Sequence, residues 1–401
     1  MVSVPLAHAA EISKHPGMRR PLVILVLAQF FGTSLWFTPN AVVHELTLIW
    51  GLTASELGHL TSAVQIGFIL GTLGFALSGL ADRWPASRIF LVAALIGAAA
   101  NIAFTFAGGL TDALLWRFVT GLCLAGIYPI GMKLVASWAP EHKAMALGWL
   151  VGMLTLGTAF PHLVRGLSPD WDWQWVVGAS SILAATAGIM VARLGDGPQL
   201  PSTGRLDWGG VLRAFRLPRF RAAVFGYFGH MWELYAVWAL APLLVAGLLV
   251  GRAPDSATVS LATFAFIAVG ALGCILGGYA SRRLGSARVA AGALAISGLI
   301  CLAWPWLGYL PLYLGIPVLL IWGFTVIADS PQFSALVAEA APQKSVGSSL
   351  AVMNSVGFLI TVFAIELTAS WWQTLGNGVT WLLVIGPIMG LIGMRALLRR
   401  E

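Results

Sequence analysis

Two pairs of polar side chains lie inside apolar stretches of the chain. His230 and Glu233 are three residues apart in GYFGHMWELYAVW. Asp329 and Gln332 are three residues apart in IADSPQF. Residues at this spacing share one face of a helix, and a carboxyl or imidazole group in an apolar interior can take up and release a proton. We predict proton exchange at Glu233, Asp329 and His230; the alternative is that they only form hydrogen bonds between helices.

A second set of polar groups is spread along the chain. Four of them recur every three or four residues and so share one helical face: Gln29, Thr33, Trp36 and Asn40. The others lie in later apolar stretches: Gln65, Tyr128, His162, Arg165, Trp232 and Asn354. Because polar groups in an apolar bundle turn inward, we predict that these residues and His230 line a cavity that binds a small solute. The alternative is that these residues only join helices. Lys133, which lies in the fourth apolar stretch, would then simply extend its side chain to the cytoplasmic interface.

The composition shows which elements must position these groups. Of the 401 residues, 58% are hydrophobic and only 10% are charged, whereas soluble proteins carry about 25% charged residues. The mean hydropathy is +0.86. We therefore expect the chain to lie in a lipid bilayer. At about 20 residues per crossing it can hold roughly twelve helical spans.

Twelve apolar stretches are bounded by Pro, Gly or charged residues. We predict a span for each: 22–44, 57–78, 88–107, 112–137, 143–165, 173–194, 221–250, 257–280, 288–307, 311–338, 346–368 and 376–396. The only long polar connection, 195–220, is predicted to link two six-helix bundles, 22–194 and 221–396, with tails at 1–21 and 397–401. The predicted fold class is an all-α membrane protein with twelve transmembrane helices in two pseudo-symmetric six-helix bundles.

The basic residues support this arrangement. If both termini are cytoplasmic, 19 of the 23 Lys and Arg residues lie on the cytoplasmic side, in a tail, a connection or the adjoining end of a span. The exceptions are Arg117, Lys133, Arg165 and Arg252. This asymmetry follows the positive-inside rule. The net charge of +7 therefore reports topology and gives no reason to expect a nucleic-acid partner. Charges precede the first apolar run without a cleavage site, which predicts a cytoplasmic tail and not a signal peptide.

Motifs of enzymes and cofactor sites are missing from the sequence. Cys123, Cys274 and Cys301 lie in apolar runs without CxxC spacing. There is no HExxH motif and no phosphate-binding G-x-x-x-x-G-K-[ST] motif. We therefore predict no catalytic site, no metal and no cofactor, which weighs against a membrane enzyme or sensor.

Two internal similarities relate the halves. GLADRWPASR at 79–88 follows the second span, and GGYASRRLGSAR at 277–288 follows the eighth. Pro129 and Pro140 have counterparts 202 residues later in Pro331 and Pro342. Duplicated halves are typical of transporters whose site lies between them, although coincidence among Gly- and Pro-rich helices is the alternative.

The sequence resembles the major facilitator superfamily over almost the whole chain. The family's signature between the second and third spans is matched by Gly79, Asp82, Arg83 and Arg88, with Pro85 to Ser87 in place of its usual middle. A weaker copy contains Gly278, Arg282, Arg283, Gly285 and Arg288, with Ser281 where the acid would be. The family's R-x-x-x-G signature on the fourth span is matched by Arg117 and Gly121.

The resemblance implies a secondary transporter that works by alternating access, as a monomer, in the bacterial inner membrane. It also implies gating by six residues: Asp82, Arg83, Arg88, Arg117, Arg282 and Arg283. We expect Asp82 to accept hydrogen bonds from a helix start in the other half, and Arg83 to pair with an acid, which would latch the cytoplasmic side. A simple basic loop that sets topology is the alternative.

The nature of the solute is predicted from charge. Arg117, Lys133 and Arg165 bias the predicted cavity toward an anion or zwitterion, carried by proton symport. The alternative is a proton-coupled multidrug or metabolite exporter, which would favour an aromatic cavity with little positive charge. The family's antiporter signature, G-x-x-x-G-P, is not matched before Pro161, and this weighs against the exporter. YPIGMKLVASW and GHMWELYAVW are similar to bacterial permeases described as cyanate- or nitrate-like, but fold does not determine substrate.

Overall fold

Apolar helices make up most of the protein in the computed structural model, which describes residues 16–139, 143–199, 206–249, 255–307 and 311–399. Over these ranges the chain forms α-helices, short 3-10 helices and turns, with no β-strand. Most of the predicted tail 1–21, Pro140, and Arg252 in its predicted outside loop fall outside the described residues.

The helices of the first half are numbered as spans in chain order. Their bounds are Pro16–Thr33, Thr38–Ala41 and Val43–Trp50 for span 1, Ala54–Ser78 for span 2, Ala86–Phe104 for span 3, Leu110–Ala125 and Tyr128–Trp138 for span 4, Lys143–Leu167 for span 5 and Trp173–Leu194 for span 6. A short helix, Leu80–Arg83, joins spans 2 and 3. Span 1 is interrupted after Thr33, where the sequence predicts one continuous helix.

The second half repeats this arrangement after a linker helix, Trp208–Arg216. Its bounds are Pro218–Leu248 for span 7, Ser256–Leu284 for span 8, Ser286–Leu307 for span 9, Leu312–Ala328 and Ser330–Ala340 for span 10, Val346–Leu375 for span 11, and Thr380–Leu383 and Ile385–Leu398 for span 12. Asp207 begins the linker helix by accepting a bond from the Gly210 N–H at 2.8 Å, and its own N–H donates to Ser348 Oγ on span 11 at 2.9 Å. The linker is thus tied to the second half.

The prediction of an all-helical membrane protein is confirmed. Within the described ranges, ten segments are long and apolar enough to cross a bilayer. One of them, Val346–Leu398, contains spans 11 and 12, which separate at Gly376 with φ +52°. A shorter apolar helix, Arg20–Thr33, belongs to span 1. These elements are consistent with the twelve predicted spans.

Glycine packing follows the internal repeat. A Cβ added to Gly121 on span 4 would collide with the carbonyl oxygen of Val64 on span 2. In the second half, 202 residues later in each case, a Cβ on Gly323 would collide with the carbonyl oxygen of Phe266. Spans 2 and 4, and spans 8 and 10, therefore approach backbone to backbone at corresponding glycines.

Spans 4 and 10 both break where the repeat places a proline. Pro129 stands at the start of the helix Tyr128–Trp138, and Pro331 at the start of Ser330–Ala340. Proline has no N–H to donate, so it is tolerated at the first turn of a helix but not in its interior. Each span thus consists of two helices, and Asp329 lies at the junction in span 10.

The two halves meet along two pairs of helices, span 2 on span 11 and span 5 on span 8. A Cβ at Gly58 on span 2 would collide with Ala369 on span 11, and a Cβ at Gly166 on span 5 would collide with Leu261 on span 8. Small residues let these helices approach closely across the boundary. The site described below lies at this boundary and in the second half.

We expect Gly121→Ala to destabilise the first half. The added methyl group meets the rigid backbone of span 2, and overpacking of this kind costs about 1–3 kcal/mol. Gly74→Ala on span 2 is the control, since a Cβ there meets nothing within 4 Å. Thermal unfolding in detergent should show a lower Tm for Gly121→Ala only; equal Tm values would contradict the close approach.

Candidate functional site

Five aromatic rings from both halves meet at the boundary, and we call them the central aromatic cluster: Trp36, Phe68, Tyr128, Tyr235 and Phe358. The ring centroids of Phe68 and Phe358 are 4.4 Å apart, and Trp36 stacks on Phe358 at 5.7 Å and 21°. Trp36 also lies 5.0 Å from Phe68 and 5.7 Å from Tyr235. Tyr128 stacks on Phe68 at 6.4 Å. The cluster therefore holds spans 1, 2 and 4 against spans 7 and 11.

Three members of the cluster were missed by the sequence analysis: Phe68, Tyr235 and Phe358. A signal for two of them exists, because Phe68 follows Gln65 by three residues and Phe358 follows Asn354 by four. These spacings put each ring on the face of a predicted polar side chain. The signal is weak, since the chain contains 20 Phe and 18 Trp, most of which pack or face lipid.

Polar groups surround this cluster. The Tyr227 hydroxyl donates to Asn354 Oδ1 at 3.1 Å, which joins spans 7 and 11. Gln65 is fully buried, and both polar atoms of its side chain lack a hydrogen-bond partner. The Trp36 indole Nε1 is also buried without a partner. Gln65 lies one turn from Phe68, and Asn354 one turn from Phe358, so both lie on helix faces that carry rings of the cluster. That they bind a solute there stays a prediction.

Contacts cross the boundary at the end opposite the basic loops. Asn40 Nδ2 donates to Thr61 Oγ1 and to the Ala239 carbonyl, each at 3.2 Å. His59 Nδ1 lies 2.7 Å from a carboxylate oxygen of Glu366. The bonds to Ala239 and Glu366 cross from the first half to the second. Asn40 therefore joins the two halves at this end and lines a pocket there with Thr61 and Ala239.

Three other predicted residues lie inside the first half. The Thr33 hydroxyl donates to the Gln29 carbonyl at 2.7 Å and to the Leu154 carbonyl of span 5 at 3.3 Å. Gln29 Oε1 lies where a Cβ of Gly131 on span 4 would be. His162 is buried on span 5 with Nε2 unpartnered. Gln29 and Thr33 thus pack against spans 4 and 5.

The three cations that were expected to favour an anion are all engaged within the first half. Arg117 donates to Asn101 Oδ1 at 2.8 Å and to the carbonyls of Leu35 and Trp36 at 2.9 and 2.7 Å. Arg165 forms an ion pair with Glu45 and donates to the Trp171 carbonyl at 2.8 Å. Arg117 therefore fixes span 4 to the interrupted part of span 1.

The third cation, Lys133, contacts the turn that carries the family signature. Its Nζ lies 2.6 Å from Asp82 Oδ1 and donates to the Ala81 carbonyl at 2.6 Å. Gly79 enters this turn at φ +64°, a conformation that favours glycine. Asp82 thus has one partner in its own half, and its predicted contact with the other half stays a prediction.

The remaining gating residues lie at the surface of the basic loops. Arg83 and Arg88 are exposed, and Arg282 lies over the Tyr279 ring at 5.4 Å next to Arg283. Asp196, which the sequence analysis did not single out, accepts bonds from the N–H groups of Ala86 and Ser87 at 3.1 and 2.7 Å. An acid at a helix start is favourable, so Asp196 caps span 3.

The ionisable residues of spans 7 and 10 form a buried cluster in the second half, which we call the acid cluster: His230, Glu233 and Asp329. His230 Nδ1 lies 2.8 Å from Asp329 Oδ1, and each of the three residues is 1% exposed. His230 is also 6.0 Å from the ring of Tyr227. The acid cluster is thus connected to Asn354 through His230 and Tyr227.

Glu233 bonds to spans 9 and 10. It accepts hydrogen bonds from Ser297 Oγ, from Cys301 Sγ at 3.1 Å and from Trp322 Nε1 at 3.3 Å. Ser297 and Cys301 lie on span 9, and Trp322 lies on span 10. These neutral donors provide no countercharge. Glu233 is therefore a carboxyl group held by neutral groups in an apolar interior.

The last predicted residue, Trp232, lies outside both clusters. Its Nε1 donates to the Leu382 carbonyl at 2.9 Å and so joins span 7 to span 12. Gln332 is buried on span 10, one turn beyond Asp329. Among the described residues, no group of three or more His, Cys, Asp or Glu side chains could hold a metal ion.

The geometry and the sequence agree with one family. Residues 22–365 match the Major Facilitator Superfamily. The chain belongs to this superfamily. The superfamily consists of multi-pass membrane transporters and not of enzymes, and it implies the inner membrane and a small-molecule substrate. Symport and alternating access are typical of the superfamily.

Curated relatives match part of the chain. The niacin transporter NiaP of Acinetobacter baylyi is 32% identical over 178 residues, which are 41% of this chain and 38% of the relative. The 4-hydroxybenzoate transporter PcaK of Pseudomonas aeruginosa is 27% identical over 157 residues, 37% of this chain and 34% of the relative. The chain thus matches less than half the length of these relatives.

Solved structures match the fold over nearly the whole chain. A bacterial homologue of the human lysosomal transporter Spinster, in an inward-facing and unoccupied conformation, superposes with a TM-score of 0.72 at 14% identity, covering 96% of this chain and 99% of that one. The nucleoside transporter NupG gives a TM-score of 0.72 at 12% identity, covering 94% and 100%. These matches confirm the major facilitator fold.

Proposed function

We propose that the protein is a secondary active transporter that moves a small organic anion together with protons. The observation that carries this proposal is the acid cluster, which puts two carboxyl groups and one imidazole in an apolar interior. Ionisable groups are costly in a membrane helix and are usually retained for function. A structural role in joining spans 7, 9 and 10 would not require groups that titrate.

The link between the acid cluster and the boundary between the halves supports coupling. His230 contacts Asp329 on one side and lies next to Tyr227 on the other, and Tyr227 donates to Asn354 at the boundary between the halves. A solute bound at Asn354 would therefore change the surroundings of His230. Coupling requires such an energetic connection between two sites.

The relatives' substrates support an organic anion. The names of the two relatives described above give niacin and 4-hydroxybenzoate, each of which carries a carboxyl group. We extend this class to the present chain as a proposal. We also propose that both termini are cytoplasmic and that the protein functions as a monomer.

A second candidate function is a proton-coupled exporter of drugs or metabolites. The central aromatic cluster and the engagement of Arg117, Lys133 and Arg165 are the observations that favour it, since exporters of this fold suit apolar, aromatic cavities. Drug-resistance tests on an expressing strain separate the two. Resistance to several unrelated compounds would support the exporter.

Transport by the purified protein in liposomes tests the first candidate. We expect labelled nicotinate to accumulate several-fold above protein-free liposomes when the outside is more acidic than the inside. Collapse of the gradient with a protonophore should remove the accumulation. Accumulation that needs sodium and ignores the pH gradient would contradict proton coupling.

A further inference from the structure

The linker helix, Trp208–Arg216, carries two exposed faces that the packing of the second half does not use. We propose that this helix and the first turn of span 7 lie in the membrane surface and bind the headgroups of anionic lipids. The proposal goes beyond the proposed function, because it depends neither on the solute nor on proton coupling.

One face of the linker helix is fixed to the second half. Its buried residues are Gly210, Val211 and Ala214. A Cβ at Gly210 would collide with the side chain of Ser345, which lies in the connection between spans 10 and 11. The absence of a side chain at this position lets the helix lie directly against that connection.

Both ends of the linker helix are held by hydrogen bonds. Asp207 caps the start of the helix and bonds to span 11, as described above. At the other end, Arg221 of span 7 donates through Nη1 to the carbonyls of Phe215 and Arg216, at 3.0 and 3.2 Å. Basic side chains can satisfy the last carbonyls of a helix in this way. The helix therefore presents its other two faces in fixed directions.

The second face is apolar and exposed. Trp208 and Leu212 are four residues apart, so they share a face, and they are 54% and 66% exposed. Leu217 follows the helix and is also exposed, and span 7 begins at the next residue, Pro218. This apolar face therefore lies close to the level at which span 7 enters the bilayer. Tryptophan and leucine side chains are favoured in the interfacial region of a membrane.

The third face is basic. Arg213 and Arg216 are three residues apart on the helix, Arg219 and Arg221 follow in the first turn of span 7, and all four are exposed. Asp207 is the only acid between positions 207 and 221, and its Oδ2 lies 3.5 Å from Arg213 Nη2. The Arg213 side chain is nevertheless 67% exposed. The segment thus brings four positive charges and one negative charge next to its apolar face.

This combination fits anionic lipid headgroups. A helix with an apolar face beside a face rich in arginine lies in the plane of the membrane surface. The planar guanidinium group presents several N–H donors, which suit the oxygens of a phosphate. The attraction to anionic lipid is lost beyond about one Debye length, so the apolar face contributes by keeping the arginines near the headgroups. In the predicted topology this surface faces the cytoplasmic leaflet.

Quenching by brominated lipids tests the proposal on the full-length chain in vesicles. Leu212→Cys is labelled with a fluorophore, and the native cysteines are buried, which directs the label to position 212. The vesicles contain equal amounts of phosphatidylglycerol and phosphatidylcholine, and only one of the two lipids carries bromine in its acyl chains. We expect brominated phosphatidylglycerol to quench about fivefold more strongly, which corresponds to about 1 kcal/mol, the attraction of one arginine to an anionic surface. Equal quenching by the two lipids would overturn the proposal. Quenching by neither lipid would also overturn it, and is the result that a surface for a soluble protein would give.

Two pairs of variants and a second label position locate the effect. Arg213→Gln with Arg216→Gln should remove most of the preference for phosphatidylglycerol while quenching by brominated phosphatidylcholine persists, a pattern that misfolding does not produce. Arg395→Gln with Arg399→Gln, an exposed pair at the end of span 12, should leave the preference unchanged. A label at Phe363, which is 61% exposed and lies about 22 Å along span 11 from Ser348, should be quenched equally by both lipids. Equal effects of the two arginine pairs, or an equal preference at both label positions, would contradict binding at the linker helix.

Discussion

Glu233→Gln is expected to abolish the accumulation of nicotinate driven by a pH gradient, while exchange of external for preloaded nicotinate continues. The amide has nearly the same shape, and its oxygen can still accept the bonds that Ser297, Cys301 and Trp322 donate to Glu233. It cannot take up and release a proton at physiological pH. Spans 7, 9 and 10 should therefore stay packed while the coupling is lost. Accumulation and exchange are measured in the same liposome preparation.

The matched control is Glu339→Gln. Glu339 is an exposed carboxyl group at the end of span 10, far along the helix from Asp329, and its change should leave accumulation as in the wild type. Retained accumulation in Glu233→Gln would show that Glu233 only joins helices. Loss of both accumulation and exchange, with a lowered Tm, would point to the same structural role.

Asp82→Asn should slow transport about tenfold without preventing expression or membrane insertion. The Lys133 side chain is only 5% exposed, and it would lose its charged partner at 2.6 Å. A hydrogen bond to a charged group contributes about 1.5–3 kcal/mol, and about 1.4 kcal/mol shifts an equilibrium tenfold. Through Lys133, Asp82 holds the turn between spans 2 and 3 against span 4. The shift in equilibrium that follows from losing this pair therefore acts on the basic-loop side of the bundle.

The rate of nicotinate exchange and the amount of inserted protein check this prediction. Asp170→Asn is the control, because Asp170 is an exposed acid in the connection between spans 5 and 6, at the opposite end. Unchanged exchange kinetics in Asp82→Asn would favour the alternative that this loop only sets topology. Lys133→Met should resemble Asp82→Asn if the pair acts as one unit.

Much of the fold could be predicted from the sequence, because its signals are local. Apolar runs and the basic loops indicate the spans, and Gly79, Asp82 and Arg83 indicate the family, which the comparison confirms. Pro129 and Pro331 mark breaks in spans 4 and 10, since proline cannot continue a helix interior. Boundaries were less accurate, and the interruption after Thr33 has no proline or glycine at the break itself.

The partners of the polar residues could not be predicted from spacing. His230 and Glu233 share a helix, but His230 pairs with Asp329 while Glu233 bonds to spans 9 and 10. Spacing on one helix shows which face a side chain occupies and not which helix packs against that face. Partners such as Asn101 for Arg117 depend on the packing of several helices.

The aromatic boundary was also hidden in the sequence. Phe68 and Phe358 are 290 residues apart, and their spacing from Gln65 and Asn354 distinguishes them only weakly from aromatic residues that face lipid. Their contact requires the two halves to be docked. The same holds for the bond from Asn40 to the Ala239 carbonyl, which connects residues 199 positions apart.

The most direct test of the account is the movement of protons with the solute. Liposomes that contain the protein and a trapped pH indicator are given nicotinate at equal pH on both sides, and protein-free liposomes give the background from passive diffusion. The account predicts acidification of the interior above this background, and its loss in Glu233→Gln. Nicotinate uptake with no acidification above background, or equal acidification by Glu233→Gln, would contradict proton coupling through the acid cluster.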